Sequence, residues 1–173
     1  GKVGLRAILG YDGIFTGHEL YRNGNCHAPS AQLSFAYDTG AMFSYSGGAT
    51  YRYVNDWISG LGPMQDHEVK ADASVNVRFR EGYTVGTDLT FVYNTFYTAG
   101  NVHPHAMFSV GAFDCDAGFR IGWVADSFSI RPDVTAKVRV LKDYLRIYAG
   151  AVGLDHYTTY WDYKKLAHRY QVS

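Results

Sequence analysis

The sequence predicts an all-β chain, an antiparallel up-and-down β-barrel of about eight strands or an eight-strand part of a larger barrel. Three observations predict it. The first is a two-residue alternation with charges on one face. Over 69–79, Val69, Ala71, Ala73, Val75, Val77 and Phe79 fall on one side, and Lys70, Asp72, Ser74, Asn76 and Arg78 on the other. A period of two gives a strand one dry face and one wet face. The second is composition: 16% aromatic residues with 19 Gly and only 4 Pro favours strands and turns over helices or disorder. The third is an alternation of short turns with long connections.

The strands follow in order. The first spans 2–10, with Val3, Leu5, Ala7 and Leu9 on one face. The second spans 30–38, where Ala31, Leu33, Phe35 and Tyr37 oppose Gln32, Ser34 and Asp38. The third, 40–54, sets Phe43, Tyr45, Ala49, Tyr51 and Tyr53 against Ser44, Ser46, Thr50 and Arg52, with Gly47-Gly48 relieving curvature or making room for a bulky neighbour. The fourth covers 67–80. The fifth, 83–96, sets Val85, Leu89, Phe91 and Tyr93 against Thr84, Asp88, Thr90 and Asn94. The sixth runs over 107–124 and changes parity between Phe108-x-Val110 and Phe113-x-Cys115, which predicts a bulge near 111–113. The seventh, 127–141, opposes Ile130, Val134, Ala136 and Val138 to Arg131, Asp133, Lys137 and Arg139, and its Pro132 should mark a bulge or an end of pairing. The eighth is 144–154.

Tight turns are expected at Asp38-Thr39-Gly40, Glu81-Gly82 and Ala125-Asp126-Ser127, with long connections at 11–29, 55–66 and 97–106. A short Lys142-Asp143 turn would then fall on the long-loop side, against the scheme. All 173 residues read as a single domain. A formal net charge of zero gives no electrostatic case for nucleic acid. No apolar run is long enough for a transmembrane helix, and Gly1-Lys2-Val3 leads directly into a strand, as in a processed form or a fragment. Cys26 and Cys115 could pair in an oxidising compartment, although spacing does not place them together.

Alternation alone leaves the environment of the apolar face open. In a soluble lipocalin-like barrel it would line a cavity for an apolar small molecule. In a transmembrane barrel it would meet lipid. Strand length, interleaved charges of both signs, and aromatics near strand ends (Tyr11, Tyr37, Tyr53, Tyr83, Tyr97, Trp123, Tyr144, Tyr157) favour lipid. Lys70, Asp72, Arg78, Asp88, Asp114, Asp116, Arg120, Arg131, Asp133, Lys137 and Arg139 would then form a charge network facing the lumen.

In this pattern the chain resembles bacterial outer-membrane β-barrel proteins, a class-level likeness covering most of its length. Lys142 to Gly150, followed by Leu154 to Tyr163, is similar to strand-loop segments of large barrels. The resemblance implies location in the outer membrane of a Gram-negative bacterium, outer-membrane lipid as partner, and a non-catalytic, porin-like structural or transport role. Many such barrels close on a terminal aromatic; Tyr170-Gln171-Val172-Ser173 departs from that, which suits part of a larger barrel.

The remaining chemistry is sparse. Asp66-His67 and Asp155-His156 suggest a rim-site hydrolase only weakly, because neighbours on a strand point to opposite faces. Ser44, Ser46, Ser74 and Ser109 lie in no distinctive motif. His103-Pro104-His105, and His18 with Cys26 and His27, read as solvated loop histidines, so neither a metal nor a cofactor is expected. Apolar residues in the loops 11–29 and 55–66 could pack over the barrel mouth or contact a protein partner. Residues 155–173 are expected as a ninth strand or a loop with a short helix at 164–169, suited to the headgroup interface.

Overall fold

The computed structural model describes residues 1–18, 21–40, 42–58, 62–141, 145–153 and 157–171. Nine antiparallel strands, each hydrogen-bonded to the next, form a single sheet in the order β1 to β9. They are β1 (Lys2–His18), β2 (Tyr21–Asp38), β3 (Phe43–Ile58), β4 (Gly62–Arg80), β5 (Tyr83–Tyr93), β6 (Thr98–Val110), β7 (Phe113–Val124), β8 (Ser127–Leu141) and β9 (Leu145–Val152). A helix, α1 (Tyr160–Gln171), follows. β1 and β9 are the two ends of the sheet and do not pair with each other, so these strands do not close a barrel.

The alternation survives as register. Val75 pairs with Tyr45 on one side and Thr87 on the other, and Ala71 lies opposite Phe91. These residues share the apolar face with Leu33, Ala106, Ile121 and Ile130. Every lysine, arginine and aspartate of the expected network shares the opposite, polar face. Gly47 lies on the apolar face, where a Cβ would stand 2.9 Å from the Phe35 ring, so the glycine makes room for that neighbour.

Three expectations need correction. The sixth strand is in fact two. Gly111, at φ +61°, turns the chain between Val110 and Phe113, so the parity change reflects a hairpin rather than a bulge. This extra reversal puts the β8–β9 connection at the same end of the sheet as Glu81-Gly82, but it also puts the tight turn at Ala125-Asp126 at the opposite end, so the connections do not sort by length between the two ends; residues 142–144 themselves lie outside the described residues.

The long connections are also corrected. Residues 11–18, 21–29, 55–58, 62–66 and 98–106 are strand. The pattern had blurred because it inverts at this end of the sheet. There Ile14, Cys26, Ala28 and Val54 occupy the polar face, while Asn25, His27, Gln65 and His67 occupy the other.

The inversion is explained by the third difference. The C-terminal stretch forms a helix of 12 residues, and it docks on the polar face instead of at a headgroup interface. Trp161 is 2% exposed and packs into the cluster of Ile14, Cys26, Ala28 and Val54. Apolar residues appear on the wet face where a helix keeps water off it.

Pro132 marks no bulge. It pairs with Phe119 in an unbroken β7–β8 ladder, and on the other side its carbonyl accepts the Gly153 N–H at 3.0 Å, just past the last β8–β9 pair, Asp133↔Val152.

Candidate functional site on the polar face

Two constructions occupy the polar face. The first is the seat of α1. Thr159 and Asp162 cap the helix reciprocally: the Asp162 amide donates to Thr159 Oγ1 at 3.3 Å, and that hydroxyl donates to Asp162 Oδ2 at 2.9 Å. Lys70 Nζ reaches the same carboxylate oxygen at 3.2 Å. Asp56 accepts from the Tyr160 hydroxyl and lies 2.7 Å from Lys164 Nζ, one helical turn further on. Glu68 accepts from the Trp161 amide at 3.1 Å with one oxygen and pairs with Arg52 at 3.3 Å with the other. Arg52 and Lys165 both lie over the Trp161 ring, at 5.6 and 5.7 Å.

Burial and the Asp56 carboxylate push the Tyr160 hydroxyl up from its ordinary value. For Asp162, burial pushes upward, but the Thr159 hydroxyl and the Lys70 ammonium outweigh it and hold the carboxyl below its ordinary value. Tyr97 and Tyr157, expected in an aromatic girdle, instead tie the segment before α1 to the sheet. Tyr97 donates to the Thr158 carbonyl at 2.9 Å, and Tyr157 to that of Gly100 at 3.0 Å.

The second construction is a cluster of imidazoles and carboxylates on β5, β6 and β8. His103 and His105 are not loop residues. They stand two apart on β6, so both side chains fall on the polar face, where they are 6% and 8% exposed. Asp88 of β5 lies opposite His103 in register. Its Oδ2 is 3.4 Å from Nδ1 of His103 and 3.4 Å from Nδ1 of His105. The two Nδ1 atoms are 3.5 Å apart. Behind them, His103 Nε2 lies 3.2 Å from Asp133, and His105 Nε2 lies 3.3 Å from Asn76 Oδ1. Arg120 donates to the same Asp133 oxygen at 2.6 Å. Gly86 and Gly118 flank His105 on its two neighbouring strands; a Cβ on Gly118 would stand 2.5 Å from the Pro104 carbonyl oxygen.

The expected network is thus divided. Arg120 meets Asp133, and Lys137 and Arg139 share Asp114 at 3.8 and 3.7 Å. Lys70 turns to the helix and Asp88 to the histidines. Asp72, Arg78, Asp116 and Arg131 lie on the same face. The sequence reading missed Arg52, Asp56, Glu68, Asp162 and Lys164. The capping spacing Thr159-x-x-Asp162 was the available signal for the helix start.

The other candidates separate. Asp66 accepts from the Thr95 amide at 2.9 Å on the polar face, while His67 meets the Tyr51 hydroxyl at 2.8 Å on the apolar one, so they form no catalytic pair. Asp155 and His156 lie outside the described residues. Cys26 and Cys115 are free thiols on opposite faces of the sheet, which rules out pairing. Among the described residues, no helix is long and apolar enough to cross a membrane, which leaves crossing by strands untouched. No protein-family model, curated protein or solved structure matches the chain.

Proposed function

We propose that this chain is an integral outer-membrane β-barrel component of a Gram-negative bacterium, serving a structural or transport role rather than a catalytic one. One observation carries the reading: the apolar face of the sheet is bare while the ionic face holds the helix. Val3, Leu5 and Leu9 are 76%, 75% and 87% exposed, and Phe128 and Ile130 are 67% and 65% exposed. An apolar surface this extensive needs a cover, and lipid is the cover that suits a strand array. A lipocalin-like binder of an apolar small molecule would need the opposite arrangement, with the greasy face sheltered.

Dimensions support the same reading. On β4 the apolar positions run from Val69 to Phe79, about 33 Å of strand, or about 25 Å along a barrel axis at a tilt of ~40°. That matches the height of a barrel's lipid-facing band. Beyond it the outward residues become His67 and Gln65. Aromatics line the band: Tyr53 meets His67 at one limit, and Tyr37 and Phe35 meet Tyr45 within it. Tyr144 lies outside the described residues.

Lipid offers backbone groups no hydrogen bonds, so the free edges of β1 and β9 need further strands to close a barrel around the polar face. The nine strands are then part of a larger wall, with α1 held inside it. A protein partner, if one binds, would approach at the β1–β2 and β3–β4 hairpin ends of the sheet.

Membrane fractionation of the protein expressed in a Gram-negative host tests the proposal. It should stay in the outer-membrane fraction through alkaline washing and need detergent for release, with a heat-modifiable gel shift once solubilised. Recovery as a soluble species without detergent would overturn it.

A further inference from the structure

We propose that Asp88, His103 and His105 form a binding site for one divalent d-block cation of the zinc type, supported by Asp133 and Asn76. The proposal does not rest on the membrane reading.

The argument begins with protons. Asp133 and the Asn76 carbonyl oxygen only accept hydrogen bonds, and they face Nε2 of His103 and of His105 at 3.2 and 3.3 Å. The Asn76 amide nitrogen is turned the other way, donating to Ser74 Oγ at 3.1 Å. His105 thus carries its hydrogen on Nε2 and presents a bare lone pair at Nδ1. His103 Nε2 lies beside Asp133 without a hydrogen bond to it. The two Nδ1 atoms and Asp88 Oδ2 stand 3.4, 3.4 and 3.5 Å from one another. A cation among them would take a lone pair from each and leave the His103 hydrogen on Nε2, next to the Asp133 carboxylate.

The triangle also has the right size. Zinc binds imidazole nitrogen and carboxylate oxygen at about 2.0–2.1 Å, and two ligands of a tetrahedral ion at that distance stand about 3.3 Å apart. An octahedral ion of the same bond length would bring neighbouring ligands to about 3.0 Å, which fits less well. The ligand set is two neutral imidazoles and one carboxylate, with a fourth position left for water, as in zinc sites that keep an open coordination position.

The supporting shell is the kind that orients metal-bound histidines: a carboxylate behind one ring and an amide oxygen behind the other. Arg120, 2.6 Å from Asp133, fixes that carboxylate in turn. Both imidazoles are more than nine-tenths buried, whereas the Asp88 side chain is 41% exposed and leaves a way in. The framework is rigid because all five residues lie on paired strands, and Gly86 leaves space for the His105 ring while Gly118 leaves space for the Pro104–His105 backbone.

The test uses the full chain, folded in the medium that keeps it folded, stripped with chelator and titrated with Co²⁺ and then Zn²⁺. The expected result is one Co²⁺ per chain with the strong visible absorption of a tetrahedral site, displaced by one Zn²⁺. Asp88→Asn, a change at a partly exposed residue, should weaken Zn²⁺ binding at least tenfold. His103→Ala and His105→Ala should abolish the Co²⁺ spectrum, Asp133→Asn should weaken binding about 10–100-fold, and His67→Ala should change nothing. A weak octahedral Co²⁺ spectrum, or Zn²⁺ affinity unaltered in Asp88→Asn, would overturn the assignment even if the histidine variants failed to fold.

Discussion

Glu68 on β4 receives the backbone N–H of Trp161 at 3.1 Å, across 93 residues of chain, and so fixes the start of α1 to the sheet. The same carboxylate is 2% exposed and pairs with Arg52. One side chain therefore satisfies an otherwise unpaired helix-end amide and a half-buried guanidinium together.

Removing that carboxylate should free the helix. Glu68→Ala leaves Arg52 without its partner and the Trp161 amide without an acceptor, at a cost of about 3 kcal/mol to docking. Hydrogen exchange at amides 160–165 should accelerate on the order of a hundredfold, while β6–β8 amides stay protected. Equal acceleration in both regions would show that α1 is not a separately docked element.

Docking should also weaken in acid. The folded Asp162 carboxyl titrates below its ordinary value of 3.8, so its contribution is complete above that value and is lost as pH falls through the lower folded one. Exchange at the helix amides should rise below pH 3.8, and Asp162→Asn should lose that dependence. A transition at neutral pH would point to another group.

The orientation of the sheet can be tested with a charge. Val75 is 51% exposed, so Val75→Arg should be nearly neutral if that face meets water. Against lipid it should cost about 2–4 kcal/mol near midplane. Its neighbour Asn76 points to the other face, and Asn76→Lys should fold into bilayers far better than Val75→Arg. Equal folding yields for the two would argue against a lipid-facing side.

Gly118→Ala should be harmful although it adds a single methyl group. The new Cβ would stand 2.5 Å from the Pro104 carbonyl oxygen and 3.0 Å from the His105 Cα, both backbone atoms that cannot swing aside. A loss of about 1–3 kcal/mol is expected in denaturant unfolding. Gly40→Ala, at a turn with open space around it but φ +76°, should lose stability through strain without disturbing the histidines.

The sequence by itself determined the faces. The side to which Arg78, Arg120 or Val75 belongs follows from the direction of each Cβ along a strand, a local property that needs no partner. It was less reliable for strand ends and strand number. A single glycine at positive φ converts an apparent bulge into a hairpin, and a helix arriving from residues 160–171 inverts the usual polarity of Ile14, Cys26 and Val54. Tertiary structure alone decided what meets on the polar face. His103 and His105 were legible as a pair, but Asp88, Asp133 and Asn76 join them only through the register of β4, β5, β6, β7 and β8. Register depends on turn geometry and on neighbouring strands together, and a slip of one residue on β5 would send Asp88 to the other side of the sheet.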